Sequence, residues 1–297
     1  MTTDECLCGS GMNNTGLPSC IKLFKKTTGM FIVPLFANDG IRNYYDLTSP
    51  ADIAGRVLSS DPSFRWYPIQ ELKDVELPTA ESRFETAKDG SKFKLADGIR
   101  SFKATAFEQG SVLAGKLQGA SCGKFGVFLF DIDGNMRGIK DGTKLYPVEI
   151  GGWDAIFNDA TDDSVSKIMI SFDFDILLKV SKFWIVSKTD MTTNPNDLSG
   201  VLDANLTVST ITTTSVIITA KTDYGSGQDS TSFIEGQLIS DFRLSNAGAT
   251  VPLLTVSETS PGVYTLTYAV IAGSTAVLKA ELLPSSSFEG SVTFIDA

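Results

Sequence analysis

The chain has 297 residues, 42% of them hydrophobic and 20% charged, with a net charge of −10. That balance belongs to a globular chain of one large or two ordinary domains, and its acidity argues against tight nucleic-acid binding, which needs Lys and Arg against phosphate. The longest apolar runs, such as "MFIVPLFA" and "FGVFLF", are too short to cross a bilayer as helices, so no membrane partner is expected. Histidine is absent, which removes Ser-His-Asp triads, Cys-His pairs and histidine metal sites. No Walker loop, dinucleotide fingerprint or nucleophile elbow occurs either. The expectation is a protein that is not an enzyme and takes no cofactor.

The opening "MTTDECLCGS" has an acid where a secretory leader carries basic residues, and no apolar core follows. A chain folding in a cytoplasm is expected from this. Cys6, Cys8 and Cys20 crowd into an arm over about residues 1–24, with Cys122 distant. Cys-x-Cys lacks the usual zinc-knuckle spacing, so reduced structural cysteines are the simpler reading and zinc the alternative.

"SPADIAGRVLSS" predicts a short helix with Ser49 as N-cap, Pro50 at the first helical position and Asp52 in the first turn. "DPSFRWYPI" gathers Phe64, Trp66 and Tyr67 between prolines, which suits core packing or a subunit contact by an extended loop. "SRFETAKDGSKFKL" predicts a hairpin around Asp89-Gly90. "GSVLAGKLQGA" predicts a second helix, capped by Ser111 and stopped at Gly119.

"FGVFLFDIDGNMRG" sets Asp131, Asp133 and Asn135 at the spacing that begins a calcium loop. The required glycine at position 6 is Met136, and the required glutamate at position 12 is Gly142. No metal site is therefore expected. The same residues read as a hairpin with Asp133-Gly134 in a type I′ turn. The strand before the turn is apolar on both faces, Val127 and Leu129 on one, Phe128 and Phe130 on the other. Such a strand is central or sits at a subunit interface.

"SKIMISFDFDI" alternates cleanly. Ile168, Ile170, Phe172, Phe174 and Ile176 share one face, and Lys167, Met169, Ser171, Asp173 and Asp175 the other. Asp173 and Asp175 could be a catalytic pair by spacing alone, but a solvated face or a functional acidic lining accounts for them better.

Thr189 to Gly200, "TDMTTNPNDLSG", reads as a linker, and composition changes across it. Residues 1–192 are expected to form one β domain, 193–200 the linker and 201–297 a second domain. The second part carries 3 basic and 9 acidic residues and seven short β-branched runs separated by turn residues. That pattern predicts a β-sandwich of immunoglobulin type.

"PGVYTLT" after "SDFRL" (Ser240, Asp241, Phe242, Leu244) resembles the Ig-like domains of bacterial surface and phage virion proteins. The whole arrangement resembles the major tail (tube) protein of a long-tailed bacteriophage, through "SKIMISFDFDI", "FGVFLFDIDGNMRG" and "GSVLAGKLQGA". The fold expected is mainly β: a tail-tube-like β-sandwich or barrel with one or two short helices, then an Ig-like β-sandwich. The resemblance implies a structural virion protein that self-assembles into stacked, hexameric rings, made in the host cytoplasm and carried in the tail beside other tail proteins. DNA would pass through a lumen lined by Asp173 and Asp175 without being held. Phe128, Phe130, Phe64, Trp66 and Tyr67 would be subunit contacts, and the Ig-like domain would stand outside. The alternative is an adhesin, head decoration or baseplate component whose Ig-like domain binds host-surface glycans.

Overall fold

The computed structural model describes residues 23–49, 52–96, 98–107, 110–175, 182–222, 233–269 and 276–296. The arm with Cys6, Cys8 and Cys20, together with Pro50 and Ile176, lies outside them. The protein is mainly β. Two compact units are distinguished, Met1–Arg56 with Ser63–Ser199, and Gly200–Ala297 with Val57–Pro62.

The first unit begins with β1 (Thr27–Pro34), β2 (Tyr45–Asp46), β3 (Tyr67–Ile69) and β4 (Leu72–Glu76). A hairpin of β5 (Arg83–Thr86) and β6 (Lys92–Ala96) follows, then β7 (Ser101–Phe107). Next come β8 (Phe125–Asp131), β9 (Met136–Asp141), β10 (Lys144–Tyr146), β11 (Val148–Asn158), β12 (Lys167–Phe174) and β13 (Phe183–Val186). The main sheet runs β2-β10-β9-β8-β11-β12-β7-β4, with β1 on β8, β3 on β1 and β13 on β9.

β8 is the strand on which this sheet turns. It pairs with β1 along its whole length, with β9 at Leu129 and Phe130, and with β11 at Val127 and Gly126. Val127 and Leu129 enter the main core with Met30, Phe102, Trp153 and Phe172. On the opposite face, β1 supplies Phe31 and the chain entering β3 supplies Trp66. Phe31 lies 5.0 Å from Phe130, and Trp66 lies 4.8 Å from Phe128, ring centre to ring centre. Phe128, Phe130 and Trp66 are all 0% exposed. Their expected role as subunit contacts is thereby corrected: the cover on both faces of β8 comes from this chain itself. Gly29 makes room for it, since a Cβ there would sit 2.3 Å from the Phe130 ring.

β12 alternates as its sequence predicts, with Ile168, Ile170, Phe172 and Phe174 buried and Met169 and Asp173 exposed. Phe172 stacks on Phe102 of β7 at 4.7 Å. The helices differ in their starts. α1 (Ile53–Val57) begins later than Ser49 would set it, because Asp52 accepts the Ala54 N–H at 3.0 Å and so acts as the cap. α2 (Ser111–Ala120) has Gly110, not Ser111, at its N-cap and runs through Gly119 to cap at Ser121.

The two hairpin turns expected from the sequence are each one residue longer than a two-residue loop. In the β8–β9 turn, Asp131 N–H reaches the Asn135 carbonyl and Gly134 N–H the Asp131 carbonyl, with Gly134 at φ +83°. This is a type I turn closed by a glycine bulge, which replaces the expected type I′ turn because Asp133 keeps a negative φ. The β5–β6 turn repeats the pattern with Gly90 at φ +84°.

In the second unit the strands are β14 (Leu202–Thr212), β15 (Ser215–Thr222), β16 (Phe242–Asn246), β17 (Ala249–Val251), β18 (Leu253–Ser260), β19 (Val263–Tyr268), β20 (Val277–Leu282) and β21 (Phe288–Ile295). They join in the order β17-β16-β20-β21-β14-β15-β19-β18, the β14–β21 pair being parallel. Val216, Ile218, Tyr264, Leu266 and Tyr268 from one half meet Phe242, Leu244, Leu278, Ala280 and Phe294 from the other in a single core. Buried tyrosine hydroxyls find partners: Tyr264 donates to the Ile234 carbonyl at 2.8 Å and Tyr268 to Asp296 at 2.8 Å.

Two-sided burial of β8 predicts that Phe128→Ala lowers stability by about 3–5 kcal/mol in urea unfolding, the range for an aromatic core truncation. Ile132→Ala, at a site 59% exposed in the adjoining turn, is expected to change it by no more than about 0.5 kcal/mol.

Candidate functional site

Asp131, first of the calcium-like acids, is 0% exposed. Burying a carboxylate is costly unless its oxygens are fully engaged. Here Oδ1 accepts the N–H groups of Asp133 at 3.0 Å and Asn135 at 2.9 Å. Oδ2 accepts the Lys25 N–H and Asn135 Nδ2, each at 3.0 Å. Four N–H groups occupy the positions that a cation's charge would take. Asp133 points elsewhere, into a 2.7 Å ion pair with Lys25 Nζ. That bond, and then the carboxylate's charge, holds the Lys25 ammonium above its ordinary range. Among the described residues no group of three His, Cys, Asp or Glu could hold a metal, and Cys122 is exposed.

This turn is a receptor for the segment read as a linker. Asn196 Nδ2 donates to the Asp131 carbonyl at 3.0 Å, and Asn196 Oδ1 accepts from Thr28 Oγ1 at 2.9 Å. The Lys188 N–H donates to Asn135 Oδ1 at 3.3 Å, and Gln70 donates to the Leu198 carbonyl. Asn194 passes so close that a Cβ on Gly134 would lie 2.1 Å from its Oδ1. Residues 188–198 are therefore a strap fastened to the first unit, with Met191 and Pro195 buried, and not a free linker.

Asp173 lies on the outward face of the β11-β12-β7-β4 region, where Ser101 Oγ donates to it at 2.6 Å. The register aligns Asp154, Ser171, Lys103 and Glu76 in one row and Ile156, Met169, Thr105 and Lys73 in the next. With Lys167 and Asp173 added, this face carries three lysines against three acids. It is nearly balanced in charge, with the exposed Asp74 in the β4 bulge beside it, whereas an acidic lining was expected. Asp175 lies past the end of β12, half-buried, and its N–H donates to the Glu149 carbonyl at 3.0 Å.

Of the expected contact aromatics, Phe64 and Tyr67 reach the surface. Phe64 is 37% exposed, with the Arg56 guanidinium 3.4 Å over its ring. Tyr67 is half-buried and pairs with Ile32.

The β5–β6 hairpin carries aromatics that sequence reading passed over. Among the described residues neither strand pairs with a third, and every residue of β5 is exposed. Phe84 and Phe93 are 57% and 59% exposed. Because Phe93 lies opposite Glu85, Phe84 and Phe93 point to opposite faces of the hairpin. A detectable signal existed: two strands with one aromatic per face cannot build a core of their own.

In the second unit a concave groove of about 710 Å³ is lined by Arg243, Asn246, Thr250, Lys279, Glu281 and Thr293 among others. Glu281 accepts from Arg243 Nε and Lys279 Nζ, each at 2.6 Å. Burial alone would raise the Glu281 carboxyl, but the bonds from Lys279 and Arg243 outweigh it and hold it below the ordinary 4.5.

No protein-family model matches this chain, and no curated protein matches it.

Asp131→Asn puts an amide N–H₂ among four N–H donors, and about 2 kcal/mol or more of stability should be lost by denaturant titration. Millimolar Ca²⁺ should leave the wild-type midpoint unmoved. For Glu281, a folded carboxyl held below 4.5 stabilises the fold above that pH, and the gain disappears as pH falls through the lowered value. Glu281→Gln should cost about 0.5–1 kcal/mol at pH 7, and thermal melts of wild type and variant should converge only once pH has fallen through that lowered value.

Proposed function

We propose that this protein is a non-enzymatic structural subunit that assembles with copies of itself, and that the assembly is the tail tube of a long-tailed bacteriophage. The observation that carries self-assembly is the β5–β6 hairpin. A two-stranded ribbon is marginal alone in water, and this one shows a phenylalanine on each face. Insertion between neighbouring subunits would cover both. The β11-β12-β7-β4 region of the first unit supports the same reading, since a sheet with one face on the core and one open to solvent suits the wall of a tube. In a tube, the charge-balanced face around Asp173 would line the lumen, and lysines matched by acids neither grip nor strongly repel passing phosphate.

The second unit supports an Ig-like reading. Its halves β14-β15-β19-β18 and β21-β20-β16-β17 follow the sequence of strands A-B-E-D and G-F-C-C′ of that sandwich. Its groove favours a second role as a binding module, for which Arg243, Lys279 and Glu281 suit polar or charged groups. No aromatic stands among the described residues lining it, so a glycan would lack a stacking platform there.

Negative-stain microscopy of the purified full-length chain is expected to show rings or tubes. The Phe84→Ser, Phe93→Ser double variant should stay dispersed with an unchanged circular dichroism spectrum. A wild type that remains monomeric at high concentration, or a variant that assembles normally, would refute the reading.

A further inference from the structure

Two arginines converge without an acid between them. Arg137, on β9 opposite Leu129 and Ile185, has its guanidinium 4.4 Å from the Phe24 ring centre and 5.1 Å from that of Phe183. Those rings cover the flat faces of the cation. They leave the edge, where all five N–H donors lie in plane, and the Arg137 Nε is buried with no hydrogen-bond partner. Arg100 stands beside it, its backbone fixed by a bridge to Thr79 and by the Phe174 N–H donating to its carbonyl. Among the described residues neither guanidinium forms an ion pair. Asp173 takes the Ser101 hydroxyl instead.

Arg100 and Arg137 both line a cavity of about 60 Å³ whose other walls include Leu129, Val148, Phe174 and Phe183. A buried guanidinium edge without a counter-charge is unfavourable, and the half-buried Arg100 beside Arg137 adds like charge. Burial, followed by the charge of Arg100, pulls the Arg137 guanidinium below its ordinary range. The cavity therefore lacks one negative charge with in-plane acceptors. Its size fits a two- or three-carbon acid and excludes a sugar ring or nucleotide, which need several hundred Å³. Its apolar walls suit the carbon end of such an acid, and the arginine fork suits a planar carboxylate.

We propose that the Arg100–Arg137 cavity is a binding site for a small carboxylate, taken from solution or presented as a carboxyl side chain. The cavity lies within one subunit, so acetate binding to it can succeed or fail whether or not the assembly reading holds.

The test uses the full-length chain, with sodium acetate and sodium propionate as probes and sodium chloride and sodium phosphate at matched ionic strength as controls. Thermal melts and calorimetric titration should show a saturable stabilisation by acetate and a larger one by propionate, with none from chloride. Arg137→Met keeps the apolar packing between the two rings and should weaken binding by at least about tenfold. Arg100→Gln, at the rim, should do the same and serves where the first variant fails to fold. Acetate tracking chloride, or an Arg100→Gln chain that binds acetate as well as wild type, overturns the site. A phosphate response exceeding that of acetate overturns the carboxylate assignment. The two sources separate at high protein concentration: added acetate weakening self-association marks a side chain presented by another copy, and unchanged self-association marks a free acid.

Discussion

A strand apolar on both faces must be covered on both faces, and in this protein one chain does all of it. β8 places Val127 and Leu129 in the main core and Phe128 and Phe130 under Phe31 and Trp66. β1, β9 and β11 take their register from it. At its end Asp131 closes the turn into β9 through its buried carboxylate, surrounded by N–H donors, and presents its main-chain carbonyl to the strap. Apolar burial and one engaged carboxylate thus act on consecutive residues. The first fixes the sheet, and the second fixes what crosses its end.

That arrangement limits where another subunit could bind. β8 has no free face, and its aromatics are spent inside the subunit. Among the surfaces left uncovered in the first unit are the hairpin with Phe84 and Phe93 and the outward face holding Ile156, Met169 and Asp173. The hairpin shows one phenylalanine on each face and is thin, which suits insertion. The sheet face is wide and mixed in charge, which suits contact with water or a mobile polyanion. The proposed tube wall would draw on both surfaces, which differ in chemistry.

Much of this was legible along the chain. The period-two pattern of Ile168 to Phe174 is local, and it decided which side chains of β12 were buried. The Asp133-Gly134 hairpin was equally local, and a hairpin forms there, closed by a glycine bulge. What the sequence could not carry were partners distant along the chain. "NPND" reads as turn residues, yet Asn196 bonds to Asp131, 65 positions earlier. Phe128 and Trp66 look as suited to a neighbour as to each other until β1 and β3 bring them together. Ser49 and Asp52 are both competent helix caps, and local preference does not choose between them. Arg100 and Arg137 are unremarkable alone. Only the fold sets them beside one cavity.

Amide hydrogen exchange on the full-length chain, dilute and then concentrated, addresses the central claim most directly. If β8 is covered by its own chain and the hairpin by another, residues 125–131 are strongly protected at both concentrations, and residues 83–93 gain protection only on concentration. Protection that rises in β8 while the hairpin stays unchanged would mean that β8 is the subunit contact, and would contradict the account.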